Sequence, residues 1–313
     1  MKKLFYALGA MLLAVVMAFP LTACSKGAKV KVIDVRLTGE KYGYCVNKSD
    51  TTIMTAVNDL IEDLCGNAPY DPEVGTTSAE GISYDFNGDG TPETVTLKTI
   101  YDAVTGETAA SFSAATDVPS GKTKADCLIV ATNAEFNPFE FMDGNKFAGV
   151  DMWVAKILAE KLNKTLVIKD MDFDVVVTEV EQGNADIGMA GLTINHGREE
   201  HVTFSDGYFV TSQRIAVLES ETAFDNCTTE AEVRAVIEGM GKVNAGAATG
   251  QTGYYYLTGS TDFEFAGFAD LTVKDYDSIG LAVKNLSNKK VKLVAGDRDT
   301  LMSAVEATNK NAK

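Results

Sequence analysis

The sequence has little positive charge. Its 313 residues include 28 lysines and arginines against 44 aspartates and glutamates, which gives a net charge of −16. A protein that binds nucleic acid needs a basic face to neutralise phosphates, so this balance argues against that class of partner. Anionic lipid headgroups would also repel such a chain, as suits a soluble body held outside a cell.

Histidine is scarce as well, since only His196 and His201 are present. The sequence offers no Ser-His-Asp set for nucleophilic catalysis, and its cysteine spacings match no zinc pattern. Glu135 and Glu140 are the carboxylates that would suit general acid–base chemistry. We therefore expect no required cofactor.

The sequence lacks a hydrophobic run long enough for a comfortable membrane span. The longest, residues 4–20, follows Lys2 and Lys3 and is shorter than the about 20 residues that a bilayer requires. This layout is typical of a signal peptide. The run ends in Leu-Thr-Ala-Cys, which resembles the bacterial lipobox, so we expect residues 1–23 to be removed and Cys24 to carry a lipid. The alternative is a simple secretion signal with a chance cysteine.

Four further cysteines would meet an oxidising environment after export. They are Cys45, Cys65, Cys127 and Cys227. Four cysteines allow three sets of pairs, and the sequence alone does not select one. Cys65 ends a predicted helix and Cys127 begins a predicted strand after a long intervening stretch, so we favour a bridge between these two.

The opening segment has the pattern of a strand, a second extended piece and a helix. The strand covers 30–37 and the extended piece covers 42–46. Ser49 and Asp50 supply helix-cap chemistry before apolar residues at helical spacing. Because so short a unit cannot cover its own apolar face, it must pack on the rest of the chain.

Residues 67–126 contain a loop in which oxygen-bearing side chains alternate with other residues. They are Asp85, Asn87, Asp89, Thr91 and Glu93. Hard oxygen ligands at this spacing suit Ca²⁺, although Thr96 stands where an EF-hand carries glutamate. A metal-free turn of Asn, Asp and Gly is the alternative. Segments 94–101 and 107–112 are predicted to form a hairpin after the loop.

From residue 128 onward, strand and helix patterns alternate. Strands are predicted at 128–132, 166–168, 187–190, 212–218, 243–247 and 291–295. We expect Asp151 to cap the first helix between them, and the second half contains further helices near 231–240 and 300–309. This alternation implies parallel-type sheets flanked by helices.

One turn has the chemistry of an anion site. The strand at 187–190 leads to small residues at Gly191, with Thr193 next and Arg198 seven residues after the glycine. Backbone N–H groups, a hydroxyl and a guanidinium together fit a carboxylate. The alternative is that Arg198 is a surface charge at a helix start.

Several motifs together carry a family resemblance. The turn region 184–209, A-T-N-A-E-F-N-P-F-E-F at 131–141, D-M-D-F-D at 170–174 and G-Q-T-G at 250–253 resemble the amino-acid-binding family of periplasmic-type solute-binding proteins that feed ABC importers. This resemblance covers 128–313 in order. Residues 30–66 resemble the family's C-terminal strand and helix but stand first, so we interpret the chain as circularly permuted, which folds tolerate where their termini lie close together.

The resemblance implies a two-lobed α/β fold of the periplasmic-binding-protein type II, with a ligand cleft between lobes. The implied divisions are a strand and hinge segment at 24–48, a lobe 1 helix at 49–66, an insert or linker at 67–126, lobe 1 at 127–214 and lobe 2 at 215–313.

The resemblance also implies a site for the two charged ends of an amino acid. Arg198 would bind the α-carboxylate with Thr193 and the Gly191 amide, while Thr252 would reach it from the second lobe. Asp297 would accept from the α-ammonium, with Asp299 as the alternative.

The remaining implied contacts surround the ligand. They are Asn133, Phe136, Phe173, Ala190 and Gln251. Both phenylalanines have ordinary core packing as their alternative. Because Asn133 replaces an aspartate common in binders of basic amino acids, a neutral or polar amino acid is favoured.

The implied partners are an ABC permease and its ATPase, met by a protein that its lipid anchors to the outer face of the bacterial cell membrane. Two other functional classes remain open. One is an enzyme on the same fold, such as a dehydratase. The other is a lipid-anchored sensor or adhesion protein that makes its contacts through residues 67–126.

Overall fold

The computed structural model describes residues 27–75, 77–310 and 312, so the predicted signal peptide and the lipidation of Cys24 lie outside the described residues. The strands are β1 (Val30–Ile33), β2 (Glu40–Tyr42), β3 (Cys45–Val46), β4 (Ile82–Tyr84), β5 (Glu93–Val95), β6 (Cys127–Thr132), β7 (Glu135–Phe136), β8 (Glu140–Asp143), β9 (Lys146–Ala148), β10 (Thr165–Asp170), β11 (Ile187–Gly188), β12 (Thr203–Phe204), β13 (Phe209–Thr211), β14 (Gln213–Leu218), β15 (Val243–Ala248), β16 (Leu271–Tyr276) and β17 (Leu293–Asp297).

Helices cover both sheets. They are α1 (Thr51–Cys65), α2 (Leu97–Thr105), α3 (Val150–Lys161), α4 (Val176–Glu181), α5 (His196–Glu199), α6 (Glu230–Gly239), α7 (Thr252–Thr258), α8 (Ile279–Ser287) and α9 (Arg298–Lys310). Within the described part of the chain, no helix has the length and apolar character needed to cross a membrane.

Two five-stranded sheets form the framework of the two lobes. The first has the order β10-β6-β11-β3-β12 and the second has the order β1-β14-β17-β15-β16. In the first, β10, β6 and β11 run parallel, and in the second, β16, β15 and β17 do so. Antiparallel strands complete each sheet. The alternating strand and helix pattern therefore predicted the parallel part of a two-lobed α/β fold correctly.

The opening segment contributes to both sheets. β1 lies antiparallel to β14 at the edge of the second sheet, β2 pairs with β13 between the sheets, and β3 lies inside the first sheet. α1 begins after Asp50, whose side chain accepts a hydrogen bond from the Ile53 amide. Its buried stripe shares an apolar core with Leu128 and Val130. The prediction that this helix packs on the main body is confirmed.

The hairpin predicted at 94–101 and 107–112 is wrong. Instead β4 pairs with β5, and α2 follows directly. Leu97, Ile100 and Val104 recur at helical spacing and are buried, while Thr96 and Thr99 cap the helix start reciprocally. The spacing of these apolar residues decides for a helix.

The predicted cap of α3 is also wrong. The helix begins at Val150 after Gly149, whose φ is 120°. A Cβ atom at Gly149 would lie 2.1 Å from the Phe139 carbonyl oxygen, so the close approach of the two backbones requires glycine. Asp151 lies inside the first turn and is completely buried.

The predicted disulfide between Cys65 and Cys127 is wrong as well, because Cys45, Cys65, Cys127 and Cys227 are all free. Cys65 packs with Leu128 on one face of the first sheet, whereas Cys127 packs with Ile129 on the other. Successive side chains of a strand point to opposite faces, so the sheet itself separates the two thiols.

The thiol count tests this arrangement. We expect the chain from residue 25 onward, unfolded without reductant and treated with iodoacetamide, to gain four labels by mass spectrometry, because four cysteines are unpaired. Protein reduced before labelling is the control and should give the same mass. Two fewer labels without reductant would contradict the structure.

Candidate functional site

The candidate site lies where the chain crosses between the two sheets. β2 pairs with β13, and β14 then enters the second sheet with Gln213 opposite Asp297 at the end of β17. In open α/β sheets, ligands bind beyond the carboxyl ends of parallel strands. β11 and β17 both end here, and the turn at Gly191 follows β11.

Asp297, the predicted ammonium acceptor, is 3% exposed. Its Oδ1 accepts a hydrogen bond from the Tyr42 hydroxyl at 2.6 Å. Burial raises the pKa of Asp297 to about 6, although hydrogen bonds from Tyr42 and Gln213 favour its carboxylate. The alternative acceptor, Asp299, accepts instead from the Tyr101 hydroxyl and the Arg298 guanidinium, each at 2.7 Å. Of the two aspartates, Asp297 is the one that joins the hydrogen bonds of the crossing strands.

Sequence reasoning missed Glu40, which is 8% exposed in β2. Its Oε2 accepts from the Thr193 hydroxyl at 3.1 Å, and both carboxyl oxygens lie 3.3 Å from Gln213 Nε2. Burial, followed by the charge of Asp297, raises the pKa of Glu40 to about 7. The available signal was alternation, because Glu40 lies on the same face of its strand as the buried Tyr42.

Two hydroxyls meet between the lobes. Thr252 Oγ1 lies 3.1 Å from Thr193 Oγ1, which in turn contacts Glu40. Arg198 spans the same boundary, since its Nη1 donates to the Thr193 carbonyl at 2.8 Å and its Nη2 donates to the Gly250 carbonyl at 3.4 Å. These bonds join the turn after β11 to the loop before α7.

The Arg198 guanidinium lies between two aromatic rings. Its central carbon is 5.3 Å from the centre of the Phe173 ring and 6.0 Å from that of Phe263. Burial lowers the pKa of Arg198, and nearby charges that include Asp297 and Glu40 oppose this effect. A guanidinium nevertheless stays protonated. Arg198 is thus half-buried and held at the lobe boundary by its contacts with Thr193, Gly250 and the two rings.

Gly191 shapes the turn in a way that the sequence did not reveal. Its φ is +53°, and a Cβ atom there would lie 2.5 Å from Phe136 Cε1, so glycine lets this ring pack against the turn. Its N–H donates to Asp151 Oδ2 at 3.0 Å. The amide predicted to assist Arg198 therefore already has a partner inside the protein.

The other predicted ligand contacts surround this centre. Ala190 and Gln251 are buried beside Gly191 and Thr252, and Phe136 is buried as well. Asn133 donates from its side chain to the Met171 carbonyl at 2.9 Å, which ties its loop to the end of β10.

A buried pair of acids lies behind the turn. Asp151 Oδ1 accepts from the Tyr208 hydroxyl at 2.7 Å and from the Tyr44 hydroxyl at 3.3 Å. Burial, followed by the charge of Asp151, raises the pKa of Glu140 well above its usual value. Burial raises the pKa of Asp151 to about 6. Glu140 is thus enclosed, whereas Glu135 is exposed.

The loop considered for calcium is held by its own hydrogen bonds. The Asp85 carboxylate accepts from the Gly88 amide at 2.9 Å and from the Gly90 amide at 3.0 Å, and Asn87 donates to Glu93 at 3.0 Å. Among the residues that the structure covers, no group of three or more histidine, cysteine, aspartate or glutamate side chains is placed to hold a metal ion. The hydrogen bonds within the loop are those of an Asn, Asp and Gly turn.

Comparisons with known proteins agree with the two-lobed architecture. Residues 128–313 match the bacterial extracellular solute-binding proteins, family 3. A solved structure of an ancestral arginine-binding protein bound to arginine superposes with a TM-score of 0.51 and 28% identity, over 60% of this chain and 76% of that one.

Curated relatives include both binding proteins and an enzyme. The arginine-binding extracellular protein ArtP of Bacillus subtilis is 35% identical over 96 residues, or 31% of this chain and 36% of that protein. Cyclohexadienyl dehydratase of Pseudomonas aeruginosa is 31% identical over 97 residues, or 31% of this chain and 36% of that enzyme. The chain thus spans little more than a third of the length of either.

Replacing Glu40 by glutamine tests the buried carboxylate. The pKa of Glu40 is about 7 in the fold against an ordinary 4.5, so protonated Glu40 stabilises the fold at low pH, and this contribution is lost as the pH rises through 7. Glutamine stays neutral. We therefore expect the Glu40→Gln variant to match wild type near pH 4 and to exceed its free energy of unfolding at pH 8 by roughly 1–3 kcal/mol.

Urea unfolding of both proteins across this pH range measures the difference. Because the charge of Asp297 acts on Glu40, the pH-dependent part of the difference reports the titration of these two carboxylates together. A constant difference between pH 4 and pH 8 would show that Glu40 titrates normally.

Proposed function

Because this chain belongs to the bacterial extracellular solute-binding proteins of family 3, we propose that it captures an amino acid between its lobes and delivers it to an ABC importer. One observation carries the proposal: half-buried Arg198 and buried Asp297 lie at the same lobe boundary, where Arg198 donates to Thr193, Thr193 and Gln213 both contact Glu40, and Gln213 pairs with Asp297. A guanidinium and a carboxylate complement the two charged ends of a zwitterion.

Each end of the ligand has a distinct partner. Arg198 would bind the α-carboxylate, and its position between Phe173 and Phe263 fixes the guanidinium before the ligand arrives. The hydroxyls of Thr193 and Thr252 add donors from the two lobes. Asp297 would accept from the α-ammonium. Since the ligand contacts both lobes, it stabilises the closed arrangement by whatever contacts the second lobe adds.

The residues around the site support two different classes of amino-acid ligand. Asn133, which lacks the charge of an aspartate, favours a neutral or polar amino acid. Glu40 supports a cationic one, because it places a second buried carboxylate beside Asp297. The names of ArtP and of the ancestral protein also refer to arginine. A panel of all twenty amino acids separates the two classes.

We further propose that the chain is circularly permuted, with divisions at 24–48, 49–66, 67–126, 127–214 and 215–313. Support comes from β1 and β3, which complete both sheets although they precede the family match at 128–313. Cys24 would carry the lipid that holds the protein at the outer face of the cell membrane, where it meets its permease and ATPase.

Removing Arg198 tests the ligand site. A ligand at 100 times its dissociation constant stabilises the folded state by about 2.7 kcal/mol, so the amino acid that binds should raise the thermal midpoint of wild type. We expect Arg198→Ala to abolish this increase, because the α-carboxylate then has no guanidinium partner. Differential scanning fluorimetry against the panel gives the measurement.

Arg234→Ala is the matched control. Arg234 also lies on an aromatic ring, 4.3 Å from the centre of Phe268, and donates to the Gly267 carbonyl at 3.0 Å, but it belongs to α6 in the second lobe. It should retain the ligand response. An unchanged response in Arg198→Ala would remove this residue from the site.

The enzymatic alternative rests on the similarity to cyclohexadienyl dehydratase. General acid–base catalysis needs a group that can reach the substrate, whereas Glu140 is enclosed against Asp151 and Glu135 is exposed. We expect no consumption of prephenate-like acids by the purified protein, followed by absorbance and mass spectrometry. Turnover of such an acid by the purified protein would establish an enzyme instead.

The sensor or adhesion alternative is separated by gene neighbourhood. Adjacent permease and ATPase genes favour uptake, whereas an adjacent histidine kinase gene favours sensing.

A further inference from the structure

The insert at 67–126 shares its apolar core with the first lobe. The buried side of α2 packs in one cluster with α1 and α3, and the Phe86 ring centre lies 4.5 Å from that of Trp153. The Tyr84 hydroxyl donates to Glu160 of α3 at 2.9 Å. Because this contact is extensive and apolar, the insert must move with the first lobe.

The same insert reaches the second lobe through Glu73. One oxygen of this carboxylate lies 2.5 Å from Arg214 Nη2 and 3.2 Å from Arg298 Nε, and the other lies 2.6 Å from Arg36 Nη2. The Arg214 side chain is only 3% exposed. A guanidinium so buried needs counter-charge. Asp34 supplies one at 3.3 Å from Arg214 Nε, and Glu73 supplies the other from across the lobe boundary.

A second contact lies at the start of α9. The Tyr101 hydroxyl of α2 donates to Asp299 Oδ1 at 2.7 Å, two residues beyond Asp297. Further along, α2 and α9 do not pack against each other, because a groove of about 700 Å³ lined by residues such as Val104, Phe141 and Met302 separates them. The two helices therefore meet at a polar contact that opening could break without exposing an apolar core.

The insert also flanks the strands that cross between the lobes. The Tyr70 amide donates to the Tyr208 carbonyl at 2.9 Å, and the Val210 amide donates to the Tyr70 carbonyl at 2.9 Å. Tyr70 thus adds a strand-like edge to β13, the partner of β2. Any hinge motion bends these crossing strands beside the insert.

We propose that the insert is a brace between the lobes, in which Glu73 and Tyr101 are positioning residues that hold the start of α9 against the first lobe in the closed arrangement. Opening the cleft separates Tyr101 from Asp299 and separates Glu73 from Arg214 and Arg298, and water then solvates these side chains. The insert thereby sets the balance between open and closed forms. Its effect on ligand affinity rests on the proposed function, whereas its effect on lobe spacing does not.

The expected change in the ratio of closed to open molecules follows from the loss of one hydrogen bond. Losing a hydroxyl–carboxylate bond that exists only in the closed form should lower the ratio of closed to open molecules about three- to tenfold. If only the closed form holds the ligand tightly, apparent affinity falls by up to the same factor. A brace thus predicts coupled changes in spacing and affinity.

Tyr101→Phe tests the brace, with Tyr84→Phe as its matched control. Each variant removes one hydroxyl of the insert, but Tyr84 bonds only to the first lobe through Glu160. Glu73→Gln provides a second variant. Nitroxide labels at exposed Lys124→Cys and Lys284→Cys, in a Cys227→Ser background, report lobe spacing by pulsed electron spin resonance.

Without ligand, Tyr101→Phe and Glu73→Gln should shift molecules from the short to the long distance about three- to tenfold, while Tyr84→Phe keeps the wild-type distribution. Wild-type distances in both Tyr101→Phe and Glu73→Gln would overturn the brace, as would equal shifts in Tyr101→Phe and Tyr84→Phe. Failure of every amino acid to bind wild type would refute the proposed function but leave this spacing result intact.

Discussion

The burial of opposite charges at the lobe boundary is the constraint on which the rest of the structure depends. Two carboxylates, Glu40 and Asp297, are withdrawn from water, and the half-buried guanidinium of Arg198 lies close enough to influence their charges. Buried charge is costly unless it is paired and hydrogen-bonded. The chain meets that cost with Tyr42, Gln213 and Thr193, which donate to the acids. A bound zwitterion would bring its carboxylate to the guanidinium and its ammonium to the acids, and so would pair charge of both signs.

This constraint explains why distant parts of the chain converge. Glu40 comes from the opening segment and Asp297 from the last strand, and they approach because β2 crosses between the sheets beside β13 and β14. The insert between 67 and 126 makes different kinds of contact with the two lobes. Its apolar side completes the core of the first lobe, while its contacts with the second lobe through Glu73 and Tyr101 are polar. Water can replace polar contacts but not apolar packing, so only the second set suits a surface that opens.

Local patterns predicted much of the fold, whereas contacts between distant segments did not follow from them. α1 was predicted because Asp50 and an apolar stripe are adjacent in the sequence. Arg198 and Asp297 were singled out by family motifs. Glu40 was missed because its burial depends on residues far along the chain. The Gly191 amide was assigned to the ligand because its actual partner, Asp151 in α3, is 40 residues away in the sequence. The disulfide prediction failed because sequence spacing does not reveal opposite faces of a sheet, and the hairpin prediction overlooked the helical spacing of Leu97, Ile100 and Val104.

Recognition of both charged ends of one molecule is the central claim, and calorimetric titration with trimmed ligands tests it most directly. Wild-type protein is titrated with the amino acid that it binds, with the amine that lacks the α-carboxylate, and with the acid that lacks the α-ammonium. The account predicts one bound amino acid per chain and a loss of binding for both trimmed compounds. Equal affinity for either trimmed compound would contradict it.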